Sequence, residues 1–182
     1  MDFNCRLPLL LYGPDTINRV CGPVLPKEYD DLPKLTEYME NMMRYCHGNG
    51  LAAPQVGVFK SFIIYEKKNG GIGTLVNPYI ERMLGKELDE PESSLSLPPV
   101  GNECSVPRME MVLIHASTME RPGYGQTFKL VGSEARVVQQ EIDCLSGTFF
   151  VDRVPEKRKR FVLDRYKGWK HAWELAGRPF PY

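Results

Sequence analysis

Residues 139–144, which read Gln-Gln-Glu-Ile-Asp-Cys, have the spacing of a metal-dependent hydrolase without its metal-binding atoms. On a helix, Gln140 and Cys144 stand one turn apart and therefore share a face. Metallohydrolases place two histidines at this spacing, with a glutamate directly after the first histidine to transfer protons. Glu141 occupies the position of that glutamate, whereas an amide and a thiol replace the histidines. The segment indicates hydrolase chemistry with an altered metal centre.

Two further segments have the composition of ligand-binding loops. Residues 48–57 read Gly-Asn-Gly-Leu-Ala-Ala-Pro-Gln-Val-Gly, in which small residues let the backbone approach a ligand and Gln55 offers an amide N–H to an oxygen. Residues 92–98, Glu-Ser-Ser-Leu-Ser-Leu-Pro, form a polar loop. Taken alone, the first segment is a turn with a packed Ala-Ala pair and the second is an ordinary loop. Only their combination with the third segment points to a site.

Hydrophobic periodicity predicts the elements that must position these segments. An apolar stripe predicts a first helix over residues 31–46, which ends at the glycines that follow. A second stripe, with a serine that can cap it, predicts the helix over 133–145, and a terminal helix is predicted over 164–175. Short strands are predicted at residues 9–12, 61–65, 73–76, 111–116 and 126–130. We therefore expect one α+β domain over residues 1–182, with strands around a central helix and helices at both ends.

Composition argues against several classes of function. The formal net charge is zero, which argues against a global attraction to nucleic acid or to anionic lipid. No stretch approaches the ~20 apolar residues of a membrane span, and no signal peptide is evident. Five cysteines, an odd number without a CxxC pair, predict reduced thiols. We expect a cytoplasmic or organellar-matrix location and no membrane partner.

In this order, the three segments resemble the motifs of peptide deformylases, which remove formyl from nascent formyl-methionine peptides. The family's GxGxAAPQxG is matched by residues 48–57, its EGCLS stands here as ESSLS at 92–96, and its QHExDH stands as QQEIDC at 139–144. The likeness extends over nearly the whole chain, including residues 11–15, 106–108, 135–138 and 152–153. It implies the peptide-deformylase fold, with short antiparallel strands around the helix of the third motif.

The positions that hold the metal in this family carry other residues here. The family binds iron(II) or zinc through one cysteine and two histidines, and those positions are Ser94, Gln140 and Cys144. A serine hydroxyl stays neutral near pH 7, and an amide oxygen is a weak donor for these ions. We therefore expect no bound metal or other cofactor. A site rebuilt with Cys104 or His47 is the alternative.

The residues around the metal position are better retained. The resemblance implies that Gln55 stabilises the oxyanion with its side chain, that the backbone N–H of Leu95 assists it, and that Glu141 transfers the proton. It also implies that Glu92 and Arg108 form a structural pair that braces the substrate cleft. The residues predicted to bind substrate are Gly48, Asn49, Gly50, Glu92, Ser93 and Arg108.

Three functions are compatible with this pattern. The first is a binding protein for a peptide amino terminus or a small acyl-amine. It would be slow or inactive as a deformylase, because a glutamate of ordinary pKa takes a proton from metal-free water only at a cost of roughly 15 kcal/mol. The second is an active enzyme with a rebuilt metal site, or one that uses Glu141 with Cys144 for acyl transfer. The third is a ribosome-associated module that binds through the basic run Lys157–Arg160, although a solvated helix end is the simpler interpretation of that run.

Overall fold

One antiparallel sheet and three helices make up the computed structural model, which describes residues 8–13, 18–98 and 104–177. The five strands follow the order β1-β2-β3-β4-β5, so each strand pairs with its neighbours in the chain. The strands are β1 (Gly50–Ala52), β2 (Phe62–Glu66), β3 (Ile72–Pro91), β4 (Ser105–Thr118) and β5 (Arg121–Val131). The helices are α1 (Leu32–Tyr45), α2 (Ser133–Leu145) and α3 (Glu156–Leu175). The predicted α+β class is confirmed.

Helix α1 buries one apolar stripe and ends where the first motif begins. Leu35, Met39 and Met43 are almost completely buried and belong to a hydrophobic cluster with β1 and β2. At the end of the helix, the Gly48 backbone N–H donates to the Met43 carbonyl at 2.8 Å, and His47 has a φ of 54°. This left-handed residue satisfies the last carbonyls and turns the chain toward β1.

Helix α2 carries the third motif and packs against the sheet. Its buried residues Ala135, Val138 and Leu145 lie in a second hydrophobic cluster with residues of β2, β3 and β4. Gly132, with a φ of 64°, provides the turn from β5 into the helix. The bounds of α1 and α2 agree with the prediction to within one residue, because each helix has a continuous apolar face.

The structure corrects the predicted strands. Residues 9–12 do not form a strand; instead the Leu10 and Tyr12 N–H groups donate to the Gln55 and Ser96 carbonyls at 2.6 and 2.7 Å. Strand β3 extends to Pro91 rather than ending near residue 76. Its outer half is mostly exposed and pairs with β4 through several shifts in register, so the sequence has no regular alternation there.

Helix α3 begins earlier than predicted and packs through aromatic residues. It starts at Glu156 rather than at residue 164, since its first turns are basic and have little apolar pattern. The Tyr166 hydroxyl donates to the Tyr12 carbonyl at 2.8 Å, and the Tyr166, Trp169 and Trp173 rings stack in succession with centroids 6.0 and 5.9 Å apart. Phe161, on the same helix, is 50% exposed and does not belong to this stack.

Two expectations from composition can be compared with the structure. Among the three described ranges, no helix has the length and apolar character needed to cross a membrane. The four described cysteines are free, as predicted for reduced thiols. Cys5 and residues 14–15 of the amino-terminal likeness lie outside the described residues.

Candidate functional site

A cleft of about 820 Å³ lies where the three motif segments meet. Its walls come from the turn between α1 and β1, the loop after β3 and one face of α2. All residues predicted for the site line this cleft except Cys144. The fold therefore brings together Gln55, Leu95 and Glu141, which are far apart in the sequence.

The glycines of the first motif allow β1 and its preceding turn to approach the other two segments. A Cβ on Gly50 would lie 2.5 Å from Cγ1 of Val137 and 3.1 Å from Cγ of Glu141. A Cβ on Gly48 would lie 2.8 Å from Cδ1 of Leu95. A side chain at either position would have to displace Val137 or Leu95, so glycine at both positions allows the three segments to lie this close together.

The Gln55 side chain is held on both sides by the protein. Its Oε1 accepts the Ala52 backbone N–H at 2.8 Å, while its Nε2 donates to Ser96 Oγ at 3.1 Å and to Ser94 Oγ at 3.4 Å. Ser94 Oγ also accepts the Ser96 backbone N–H at 3.3 Å. The amide predicted to bind an oxyanion is thus already engaged by two hydroxyl groups.

Glu141 is the exception in this well-paired environment. The side chain is buried, with 4% of its surface exposed, and among the described residues its Oε2 has no hydrogen-bond partner. The pKa of Glu141 is raised to about 8, mainly by burial and secondly by the negative charge of Glu92, against the opposing effects of Arg108 and the Ala52 backbone. The carboxyl is therefore mostly protonated at neutral pH.

A buried ion-pair network supports the cleft from behind. Arg108, 3% exposed, binds both carboxylate oxygens of Glu92, at 2.8 and 2.9 Å. It also pairs with Asp143 of α2, which in turn pairs with Arg153. The Glu92–Arg108 pair implied by the resemblance is thus present. Together with Asp143, it connects β4, the loop after β3 and α2.

Sequence reasoning missed three residues of this region. Arg136 donates to Glu92 Oε1 at 2.8 Å and to backbone carbonyls of β3 and β4, and it lines the cleft. Asp143 completes the ion-pair network, while Trp169 lines the cleft. Arg136 and Asp143 lie inside the matched segments, so the likeness contained a signal for them. The sequence contained none for Trp169, which comes from a distant helix.

The four polar residues Gln55, Ser94, Gln140 and Glu141, which we call the polar cluster, do not fit a zinc or iron(II) ion. The Gln140 Nε2 donates to the Ser93 carbonyl at 2.8 Å, and an amide offers no imidazole-like lone pair. Ser94 carries a neutral hydroxyl. Among the residues that the structure describes, no group of three or more histidine, cysteine, aspartate or glutamate side chains is arranged to hold a metal ion.

The sulfur and imidazole groups near the cleft do not change this result. Burial raises the pKa of the Cys144 thiol well above its usual range, and the charge of Glu141 adds to the effect. The thiolate that a metal requires is therefore strongly disfavoured. His47 is exposed and lines the cleft, whereas Cys104 does not line it.

The basic run Lys157–Arg160 lies in the first turns of α3 and does not line the cleft. Lys159 pairs with Asp152 at 2.6 Å, while Arg158 and Arg160 are exposed. Contact with the ribosome through this run stays a prediction.

Comparison with known proteins agrees with the motifs. The sequence model of the family described as Polypeptide deformylase matches residues 6–160. A peptide deformylase of Dictyoglomus thermophilum is 35% identical over 148 residues, covering 78% of this chain and 93% of that protein. The crystal structure of the peptide deformylase from Thermus thermophilus has a TM-score of 0.81 at 30% identity and covers 94% of this chain and 99% of that one. A Met-Ala-Ser-bound peptide deformylase of Acinetobacter baumannii has a TM-score of 0.73 at 30% identity, covering 81% and 98%.

Proposed function

Because the chain belongs to the polypeptide deformylase family, we propose that it is a member that binds the amino-terminal end of a peptide, or a small acyl-amine, without hydrolysing it. The observation that carries the proposal is the Glu141 Oε2 atom, which is buried at the cleft with no partner among the described residues. A buried polar atom without a partner is costly, and a bound ligand can supply the missing hydrogen bond.

The size of the cleft supports a ligand of a few residues. A volume of about 820 Å³ lies within the range of small-molecule and short-peptide sites. The relative from Acinetobacter baumannii carries the tripeptide Met-Ala-Ser in its crystal structure. A peptide amino terminus is therefore the natural first candidate for the cleft of this chain.

The chemistry of the polar cluster argues against hydrolysis. With a pKa of about 8, Glu141 is a stronger base than an ordinary glutamate, yet taking a proton from water still costs roughly 10 kcal/mol. The Gln55 amide could stabilise an oxyanion only by giving up its bonds to Ser94 and Ser96. One such donor contributes roughly 3–4 kcal/mol in known hydrolases, which is too little to compensate.

Metal-free acyl transfer through Cys144 is less well supported. The nucleophile in such chemistry is the thiolate, whereas this thiol is 3% exposed and its pKa is raised by burial. Cys144 also does not line the cleft. A ligand in the cleft would therefore have no direct access to its sulfur.

The proposal can be tested by measuring metal content, formate release and peptide binding on the same preparation. Protein grown with added zinc, iron or cobalt should contain far less than one equivalent of metal and release no formate from formyl-Met-Ala-Ser. Calorimetry should nevertheless detect binding of a methionine tripeptide. The matched control is the triple variant Ser94→Cys, Gln140→His, Cys144→His, which should bind one equivalent of metal. Stoichiometric metal with turnover in the unmodified protein would contradict the proposal.

A further inference from the structure

We propose that the cleft selects a peptide with a lysine or arginine among its first two residues. This inference rests on the function proposed above and names its ligand more narrowly. It follows from the charges on the cleft wall, where the protein itself binds the guanidinium groups but leaves carboxylates accessible to a ligand.

Among the described residues, two arginines line the cleft, and the protein already binds both. Arg108 is 3% exposed and pairs with Glu92 and Asp143. The side chain of Arg136, which is 12% exposed, donates to Glu92 Oε1 at 2.8 Å and to the Leu88 carbonyl at 2.6 Å. An anionic ligand therefore meets no arginine whose charge is not already neutralised.

Two carboxylates of the cleft wall keep negative charge for a ligand. Glu110 lines the cleft and makes no ion pair within the described ranges. Its Oε2 accepts the Lys86 backbone N–H at 3.4 Å, a contact that leaves the charge in place. Glu90 also lines the cleft and pairs with Arg136 through one oxygen, Oε2, at 2.9 Å, while 55% of its side chain is exposed. A cationic group on a ligand can therefore approach both.

Counted over the cleft wall, negative charge is in excess. Among the described residues that line the cleft, three glutamates besides Glu141 stand against two arginines. The excess remains when Glu141 and His47 are both counted as neutral. Because charges act over a Debye length of ~8 Å at physiological salt, neither carboxylate has to touch the ligand for this excess to favour a cation.

The wall near these carboxylates also suits the stem of a long basic side chain. Leu88 lines the cleft and lies two residues before Glu90 on β3. Met109 lines the cleft as well and directly precedes Glu110 on β4. Lysine and arginine bury their methylene stems on apolar surface and keep their charged ends at polar groups. A basic side chain therefore matches this part of the wall.

Glu141 indicates independently that a ligand enters the cleft, and its position gives the reach to Glu90. Its buried Oε2 has no partner among the described residues, so a ligand group there supplies the missing hydrogen bond. Arg136, which pairs with Glu90, stands five residues before Glu141 on α2, a separation of roughly 7.5 Å along the helix axis. An extended peptide covers that distance in about two residues. A ligand whose terminal residue meets Glu141 thus carries its first or second side chain near Glu90.

Calorimetric titration of the unmodified protein with matched peptide amides tests the inference. Lys-Ala-Ser and Met-Lys-Ser carry the charge on the first or the second residue, and norleucine in place of lysine keeps the stem without the charge. We expect the better lysine peptide to bind roughly fivefold more tightly than its norleucine counterpart, an advantage that shrinks in about 0.5 M salt. Glutamate at the same position should weaken binding.

The outcomes separate this inference from the proposed function. Norleucine peptides that bind as tightly as both lysine peptides would overturn the inference while leaving the proposed function standing. Glutamate peptides that bind as tightly as the lysine peptides would do the same. Binding of none of the peptides would overturn both.

The double variant Glu90→Gln, Glu110→Gln then assigns the selectivity to its residues. It should remove most of the advantage of lysine over norleucine, because it removes both accessible carboxylates without changing the shape of the wall. Glu134→Gln is the matched control, since Glu134 lies on α2 but lines a neighbouring cavity of about 290 Å³ instead of the cleft. A folded double variant that keeps the full lysine advantage, or an equal loss in the control, would also overturn the inference. If the double variant does not fold, the peptide comparison on the unmodified protein still decides the question.

Discussion

Replacing Glu141 with glutamine should remove a pH-dependent loss of stability from the folded protein. Burial raises the pKa of this carboxyl from 4.5 to about 8, so the folded state holds the proton more tightly than the unfolded state does. Its stabilising effect is complete below pH 4.5 and is lost progressively as the pH rises to about 8. Above that value the folded protein keeps a buried carboxylate whose Oε2 has no partner among the described residues.

The expected magnitude follows from the difference between the two pKa values. Each pH unit between 4.5 and about 8 lowers the free energy of unfolding by roughly 1.4 kcal/mol, and the full effect is roughly 5 kcal/mol. Glutamine has nearly the same shape and stays neutral at every pH. The Glu141→Gln protein should therefore become more stable than the parent as the pH increases, although the two are similar near pH 4.5.

Urea unfolding between about pH 5 and pH 9, followed by far-UV circular dichroism, measures this difference. The gap in unfolding free energy should widen by roughly 4 kcal/mol between about pH 5 and pH 8 and then stay constant. Glu90→Gln is the matched control, because its side chain lines the same cleft but is 55% exposed. Parallel pH profiles for Glu141→Gln and the parent protein would refute the reasoning.

Three other substitutions test the packing around the cleft. Arg108→Met should lower the free energy of unfolding by about 3–5 kcal/mol, since it leaves two buried carboxylates without their shared partner. The control Arg44→Met should change it little, because the ion pair of Arg44 is exposed. Equal losses of stability in urea unfolding would contradict this. Gly50→Ala should cost roughly 1–3 kcal/mol because of its 2.5 Å approach to a valine of α2, and Gly22→Ala, with no atom within 4 Å, serves as the control. Tyr166→Phe should lower the melting temperature by removing one 2.8 Å hydrogen bond, worth about 1 kcal/mol, and an unchanged melting temperature would show that the bond contributes nothing.

The parts of the fold that could be predicted are those with a continuous apolar face. Helices α1 and α2 fall within one residue of their predicted bounds because their buried stripes repeat at helical spacing. Strand β3 was underestimated, since its outer half is stabilised by pairing with β4 rather than by a buried face. Residues 9–12 do not form the predicted strand. A short apolar run can equally form an extended segment that contacts neighbouring loops through isolated backbone hydrogen bonds, as it does here.

The composition of the site could be predicted, but its internal bonding could not. The likeness to the family motifs was enough to predict that Gln55 and Glu141 lie in one site, and both line the cleft. That the Gln55 amide is engaged by two serine hydroxyls depends on side-chain geometry, and no spacing rule contains it. The lack of a hydrogen-bond partner for Glu141 Oε2 among the described residues likewise depends on the positions of all its neighbours, which the sequence does not contain.

The stacked indoles of α3 determine what fluorescence will report about this protein. The chain has two tryptophans, Trp169 and Trp173, and their rings lie nearly parallel at an interplanar angle of 4°. All intrinsic indole emission therefore originates from one surface of the last helix, and the two chromophores are close enough to couple electronically. A change in that emission signals separation of the pair or undocking of α3 from the segment around Tyr12, whose carbonyl accepts the Tyr166 hydroxyl, and not melting of the sheet. Conversely, because Trp169 lines the cleft, the same emission provides a label-free optical signal of an occupied cleft.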